Sequence, residues 1–221
     1  MKLFDFFLKM CKKDKTSILF LVLSPTLFFA TYSKSMKENK SDVREFIIKK
    51  NWQYFYFAPL LAIVVGGLVK NNISNGFIVL AGFYAFSRVN EIFYAFIKDA
   101  TSHLRSEEHS STLKYYERIP LAMRSYLELI ILYGVIAYIL NTFFQSFSFS
   151  CEQNSFSSIW QAIYYSGVTI TTIGYGEITP NDFFSQAMAL YEVINGFSLI
   201  VVSFAIYVSR SIADEEYKPK E

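Results

Sequence analysis

Histidine and cysteine are almost missing from this chain: His103, His109, Cys11 and Cys151 are the only ones in 221 residues. The two histidines stand six apart, which is not a ligand spacing on one helix face. Neither has a cysteine neighbour or belongs to an HExxH pattern, so nothing here builds a metal site. They read as solvated linker residues, with a pH sensor as the competing reading. The two cysteines fall in segments that the charge pattern below assigns to opposite faces of a membrane, which argues against an intrachain bridge. Cys151 is left either unpaired or bridging two copies of the chain. Charged residues are also sparse, at 18%, and their balance of +2 decides little. No Lys or Arg occurs between 145 and 155, and only eleven residues follow Arg210, too few for a folded domain. What fills the chain instead is apolar: 52% hydrophobic and 19% aromatic residues, with 23 Phe and 16 Tyr. These gather in runs close to the ~20 residues that cross a hydrocarbon core as helix.

Where the positive charges lie sets the topology. Residues 1–15 mix five lysines with Phe4, Phe6, Phe7 and Leu8, an interfacial start attracted to anionic lipid. The run 16–32 is short, and Ser24-Pro25 breaks it at the centre. It reads as a broken or re-entrant segment with both ends cytoplasmic; a cleaved signal peptide is the alternative. Residues 33–51, with six basic side chains, read as a cytoplasmic loop. The first expected span is 52–69, entered through Trp52, Tyr54 and Tyr56, with Gly66-Gly67 allowing close helix contact. The second expected span is 76–97, carrying Arg88 and Glu91. Intramembrane charges default to function, but a self-neutralising pair one turn apart is the reading favoured here. One arginine is far short of a voltage sensor. A cytoplasmic linker is expected over 98–120, followed by a span over 121–144 that Pro120 opens. Ser155–Thr172 is too short to span and re-enters, and 183–208 is the last span. The expected count is four true spans plus the re-entrant loop over 155–172, with 16–32 a shallow, broken or re-entrant segment besides.

The re-entrant loop ends in Thr171-Thr172-Ile173-Gly174-Tyr175-Gly176-Glu177. A row of backbone carbonyls facing one way needs alternating left- and right-handed residues, and Gly174 and Gly176 stand where that alternation requires them. The stretch resembles the selectivity filter of the potassium-channel pore modules, whose T-V-G-Y-G carbonyls replace the hydration shell of the ion. Residues 162–172 look like that family's pore helix, including the aromatic pair Tyr164 and Tyr165, and Pro180 and Gly196 fall at family spacing. Ile173 stands where valine is usual and Glu177 where aspartate is usual. The resemblance covers residues 121–212 and is silent on 1–100.

The resemblance implies an all-α membrane protein with a tetrameric pore, one filter segment per copy, behind an N-terminal region of about two spans. It implies potassium-selective passive conduction, dehydration by the carbonyls of Thr172, Ile173, Gly174 and Tyr175 with the Thr172 hydroxyl, and filter support from Tyr164, Tyr165, Thr171 and Glu177. Gly196 would be the gating hinge, with Phe197, Ile200, Phe204 and Val208 along the cavity and inner gate. Glu192 is expected to hydrogen-bond behind the pore helix; Asn195 faces either the cavity or a neighbouring helix. No enzyme activity or cofactor is expected, potassium being the permeant ligand with no other metal. The implied partners are three further copies of the chain, anionic lipids and a separate regulator, with no nucleic acid. The implied location is the cell membrane. No voltage sensing and no ligand-sensing module after the pore are expected. The division expected is 1–51, 52–97, 98–120, 121–212 and a tail 213–221. Competing readings are a nonselective cation channel, a transporter subunit and a membrane protein with a dead pore.

Overall fold

The structure, a computed structural model, describes residues 24–37, 39–71, 75–104, 113–144, 147–150, 155–203, 205 and 208–209. The basic start, the question of how 16–32 lies in the membrane, Cys11, Cys151, His109, Phe204 and the tail fall wholly or largely outside these residues.

Among the described residues, four helices are long and apolar enough to cross a membrane: 40–70, 76–102, 116–143 and 183–201. The protein is therefore a multi-pass integral membrane protein. In chain order the elements are α1 (Pro25–Ser35), α2 (Lys40–Lys70), α3 (Asn75–Leu104), α4 (Tyr115–Phe143), β1 (Phe149–Ser150), α5 (Ile159–Ile170), β2 (Thr179–Pro180) and α6 (Phe183–Phe197). A π-helical turn over Ser198–Ser203 continues α6.

The outer helix α4 is the hub, with α2, α3 and α5 packed against it. Small residues set these approaches. A side chain at Gly134 on α4 would sit 2.7 Å from the Ile163 Cα, so the two backbones touch. Gly66 of α2 packs in the same way onto the Ile159 side chain, whereas its neighbour Gly67 meets nothing within 4 Å. The core joins Leu129, Leu132 and Tyr133 of α4 to Ala162, Tyr165 and Ile170 of α5. At the ends of the segment that carries α5, β1 and β2 pair antiparallel, Phe149 opposite Pro180.

Three boundaries differ from the sequence reading. Residues 40–51 are helical, not loop, because α2 runs 31 residues without a break. At 1.5 Å per residue it is about 46 Å long, more than the ~30 Å hydrocarbon core, so its basic first turns lie beyond the apolar layer. Those turns are held by polar contacts that hydropathy does not register. Arg44 Nε donates to Glu117 Oε2 at 3.0 Å, and Arg124 Nε donates to Asn51 Oδ1 at 2.6 Å while its guanidinium lies over the Trp52 ring. The linker is shorter than 98–120, since α3 reaches Leu104 and α4 begins at Tyr115. Pro120 is consequently inside α4, as Pro59 is inside α2, not at a helix start. Proline is tolerated there because neighbouring helices re-satisfy the freed backbone groups.

Pro25 does mark a start. The helix α1 begins at it, with Ser24 as the non-helical residue before it. The Ser24 hydroxyl donates to the Ser87 carbonyl at 2.8 Å and the Thr26 N–H donates to the Ser87 hydroxyl at 3.1 Å, which pins this start onto α3.

Candidate functional site: the pore loop and its supports

The pore helix α5 starts at Ser158, whose hydroxyl accepts from the Gln161 N–H at 3.4 Å, and it stops at Thr171. Past that point the chain turns sharply back on the last turn. Thr172 N donates to Thr169 O at 2.9 Å, and the N–H groups of Ile173 and Gly174 both reach Val168 O, at 3.1 and 3.3 Å. Positive φ then appears at every second residue: 59° at Thr172, 58° at Gly174 and 81° at Gly176. Glycine takes such angles freely, but a β-branched threonine does so only where its surroundings impose it. Thr172 is therefore the strained member of the loop, which motif spacing did not single out. Residues 171–177 are all exposed on the single chain, Tyr175 at 65%.

The two expected supporting tyrosines part company. Tyr164 lies on the loop side, its hydroxyl donating to Glu177 Oε2 at 3.4 Å. Tyr165 turns the other way and is buried against Phe149 and Phe156, ring centroids 5.0 and 5.9 Å away, beside the paired strands β1 and β2. Successive residues on a helix lie about 100° apart, so adjacent positions cannot both face the loop. Thr171 bonds back through its hydroxyl to the Gly167 carbonyl.

The loop's return to α6 is held by Asp182. Its carboxylate accepts from the Phe184 and Ser185 N–H groups at 2.9 and 3.0 Å, capping the helix, and from the Ser148 N–H and hydroxyl on the facing loop. Burial works against this charge, but the Ser148 and Ser185 donors outweigh it and hold the carboxyl down at about 2. A carboxyl depressed below its unfolded value of ~3.9 stabilises the fold fully above that pH and stops doing so as pH falls through its folded value. Acid titration of the folded protein's melting temperature should therefore show a loss between about pH 4 and 2 that Asp182→Asn lacks. Identical acid limbs in the two proteins would contradict this role.

Behind the loop, Gly196 lies against the end of the pore helix: a side chain there would come within 2.4 Å of Ile170 Cγ1 and 3.2 Å of Ile170 O. Close packing thus accounts for this glycine in the conformation seen. The helical character changes just beyond it, from α to π at Ser198. A wider turn moves side chains off the 3.6-residue period. Phe197 and Val201 are exposed, whereas Ile200 packs partly against the core and so leaves the face expected for it. Val208 is half-buried. Glu192 and Asn195 are both buried on the inner face of α6. The Ser166 hydroxyl of the pore helix lies against Glu192 Oε1 and 2.8 Å from the Ile130 carbonyl. Asn195 Nδ2 donates to the Tyr133 hydroxyl and to Tyr191 O, which places it against α4 and not in the cavity.

The Arg88–Glu91 pair forms, at 2.8 Å, but it is not self-contained. Arg88 also makes a two-pronged contact with Glu128 of α4, Nε to Oε1 at 2.8 Å and Nη2 to Oε2 at 3.1 Å, and lies 3.8 Å from the Tyr54 ring centroid of α2. Three spanning helices are locked together by one buried guanidinium. Glu128 was legible only as a lone acid in an apolar run; nothing in its spacing pointed to Arg88, 40 residues earlier.

Two spanning helices that bracket a short re-entrant helix and a loop of alternating handedness define a membrane pore module. Residues 125–212 match the family described as "Ion channel". The chain is similar to YugO of Bacillus subtilis (strain 168), named "Putative potassium channel protein", at 32% identity over 77 residues. That overlap is 35% of this chain and 20% of the relative, so the chain spans about a fifth of the length of the curated protein it matches. No solved structure matches.

Proposed function

We propose that four copies of this chain surround one axis and conduct potassium passively down its electrochemical gradient. The observation that carries this reading is the positive φ at Thr172, Gly174 and Gly176 in a loop left exposed on the single chain. Alternate handedness is what a row of like-directed carbonyls needs, and one such row cannot encircle an ion. A closed ring of copies supplies the missing oxygens and satisfies cyclic symmetry. The apolar side chains that α6 exposes, Phe183, Phe184, Leu190, Ile194 and Phe197, are the surfaces such neighbours would cover. The C-terminal end of α5 carries partial negative charge toward the loop's inner end, which favours a cation there.

Within that reading, Thr172, Ile173, Gly174 and Tyr175 contribute carbonyls to the ion's shell, and Tyr164 with Glu177 braces the outer end. Phe197 and Val201 line the cavity below. Arg88 is held by carboxylates of two helices, so it supplies no freely moving gating charge, in keeping with a channel that is not voltage-gated. The basic turns at the start of α2 offer anionic lipid headgroups a contact. No step of chemistry is catalysed. The test is uptake by liposomes carrying the purified protein: potassium uptake should exceed sodium uptake strongly, and equal uptake of the two would overturn the reading.

A further inference from the structure

The hydroxyl of Ser166 sits between two oxygens, the Ile130 carbonyl of α4 at 2.8 Å and Glu192 Oε1 of α6. A serine hydroxyl has one hydrogen to give, and the carbonyl can only accept. If Ser166 donates to Ile130, the hydrogen between Ser166 and Glu192 must come from the carboxyl. Glu192 is 0% exposed, and its second oxygen, Oε2, has no partner. Among the described residues it has no cationic partner either. The groups around it are neutral polar ones: Ser166 and Tyr165 on the pore helix, Tyr126, Tyr133 and the Ile130 carbonyl on α4, and Tyr191 and Asn195 on α6 itself. On the far side, α3 contributes Asn90, which accepts from the Tyr191 hydroxyl. A carboxylate in an apolar interior with one hydrogen bond and no counter-charge is far more costly than a neutral acid with one donor used.

We propose that Glu192 is a protonated carboxylic acid whose Oε1–H donates to Ser166, making a neutral strap from inner helix to pore helix to outer helix. The strap runs α6 Glu192, α5 Ser166, α4 Ile130. It lies four residues before Gly196 and five before Thr171, on the side of the pore helix away from the loop. Glu192 is thereby a positioning residue: it acts on the pore loop through the seating of α5. Loss of its proton would put an uncompensated charge behind the pore helix and replace a donated bond by a contest for the single Ser166 hydrogen.

The experiment compares the full-length protein with Glu192→Gln, Glu192→Ala and Ser166→Ala in lipid. In the infrared difference spectrum at neutral pH, Glu192→Gln should remove a protonated carboxylic-acid carbonyl band. Loss of carboxylate bands instead would overturn the proposal, and this readout does not depend on the ion conducted. An amide offers the same donor in the same shape, so Glu192→Gln should assemble and carry cation flux within about twofold of the parent. Glu192→Ala and Ser166→Ala should lower flux about tenfold, as expected for losing one buried hydrogen bond. Raising pH should lower flux in the parent and leave Glu192→Gln flat. A Glu192→Gln protein that misassembles, or conducts as poorly as Glu192→Ala, overturns the proposal.

Discussion

Replacing Gly174 by Ala should abolish potassium-selective flux while leaving a folded membrane protein. The backbone there has φ +58°, and a Cβ built onto it meets nothing within 4 Å of its own chain. Crowding inside one copy is therefore not the obstacle. The obstacle is conformational, since a left-handed residue with a side chain costs about 1–2 kcal/mol. In the proposed ring of four that is about 4–8 kcal/mol, concentrated on the atoms proposed to replace the ion's water. The loop escapes by turning a carbonyl away, which destroys the shell without touching the α4–α5 core. Gly134 makes the control, because its constraint is crowding: a side chain there would strike the Ile163 backbone. Gly134→Val should lose the folded assembly itself. The measurements are liposome uptake of potassium and sodium together with a sizing profile. Undiminished, potassium-selective uptake by Gly174→Ala would remove the loop from the conduction path.

The second large effect is expected at Arg88. Arg88→Ala strips the counter-charge from Glu91 and Glu128, both buried, and leaves two carboxylates facing each other among three helices. Removing one partner from a buried ion pair costs about 3–5 kcal/mol, and the thermal melting of the protein in detergent should fall accordingly. The triple change Arg88→Met, Glu91→Gln, Glu128→Gln should recover most of that loss, since no buried charge then remains uncompensated. If Arg88→Ala melts with the parent, the network adds nothing to stability and the intramembrane charges would need a functional explanation.

Much of the pore loop was legible in the sequence because it is local. Seven consecutive residues, 171–177, hold the loop, and two glycines two apart announce its backbone handedness before any fold is known. The spans were legible for a similar reason: a segment in hydrocarbon must be apolar along its whole length, and hydropathy reads length and apolarity directly. The same rule hid the true start of α2. Once outside the hydrocarbon a helix need not be apolar, so Lys40–Asn51 looked like a loop and is a helix tied to α4 through Arg44 and Asn51.

What the chain determined by itself was the set of membrane segments and the handedness of the pore loop at its two glycines, both consequences of neighbouring residues meeting one solvent or one steric rule. Only the tertiary structure decided which buried groups meet. It brought Glu128 to Arg88, turned Tyr165 away from the loop while leaving Tyr164 beside it, and placed Ser166 between Ile130 and Glu192. It also set the π turn after Phe197, which carries Val201 to the exposed face and Ile200 to the core. Those outcomes depend on the rotation of each helix about its axis. Rotation is set by close approaches such as Gly134 against Ile163 and Gly196 against Ile170, contacts between residues 29 and 26 positions apart, and no local pattern encodes which glycine will find which partner.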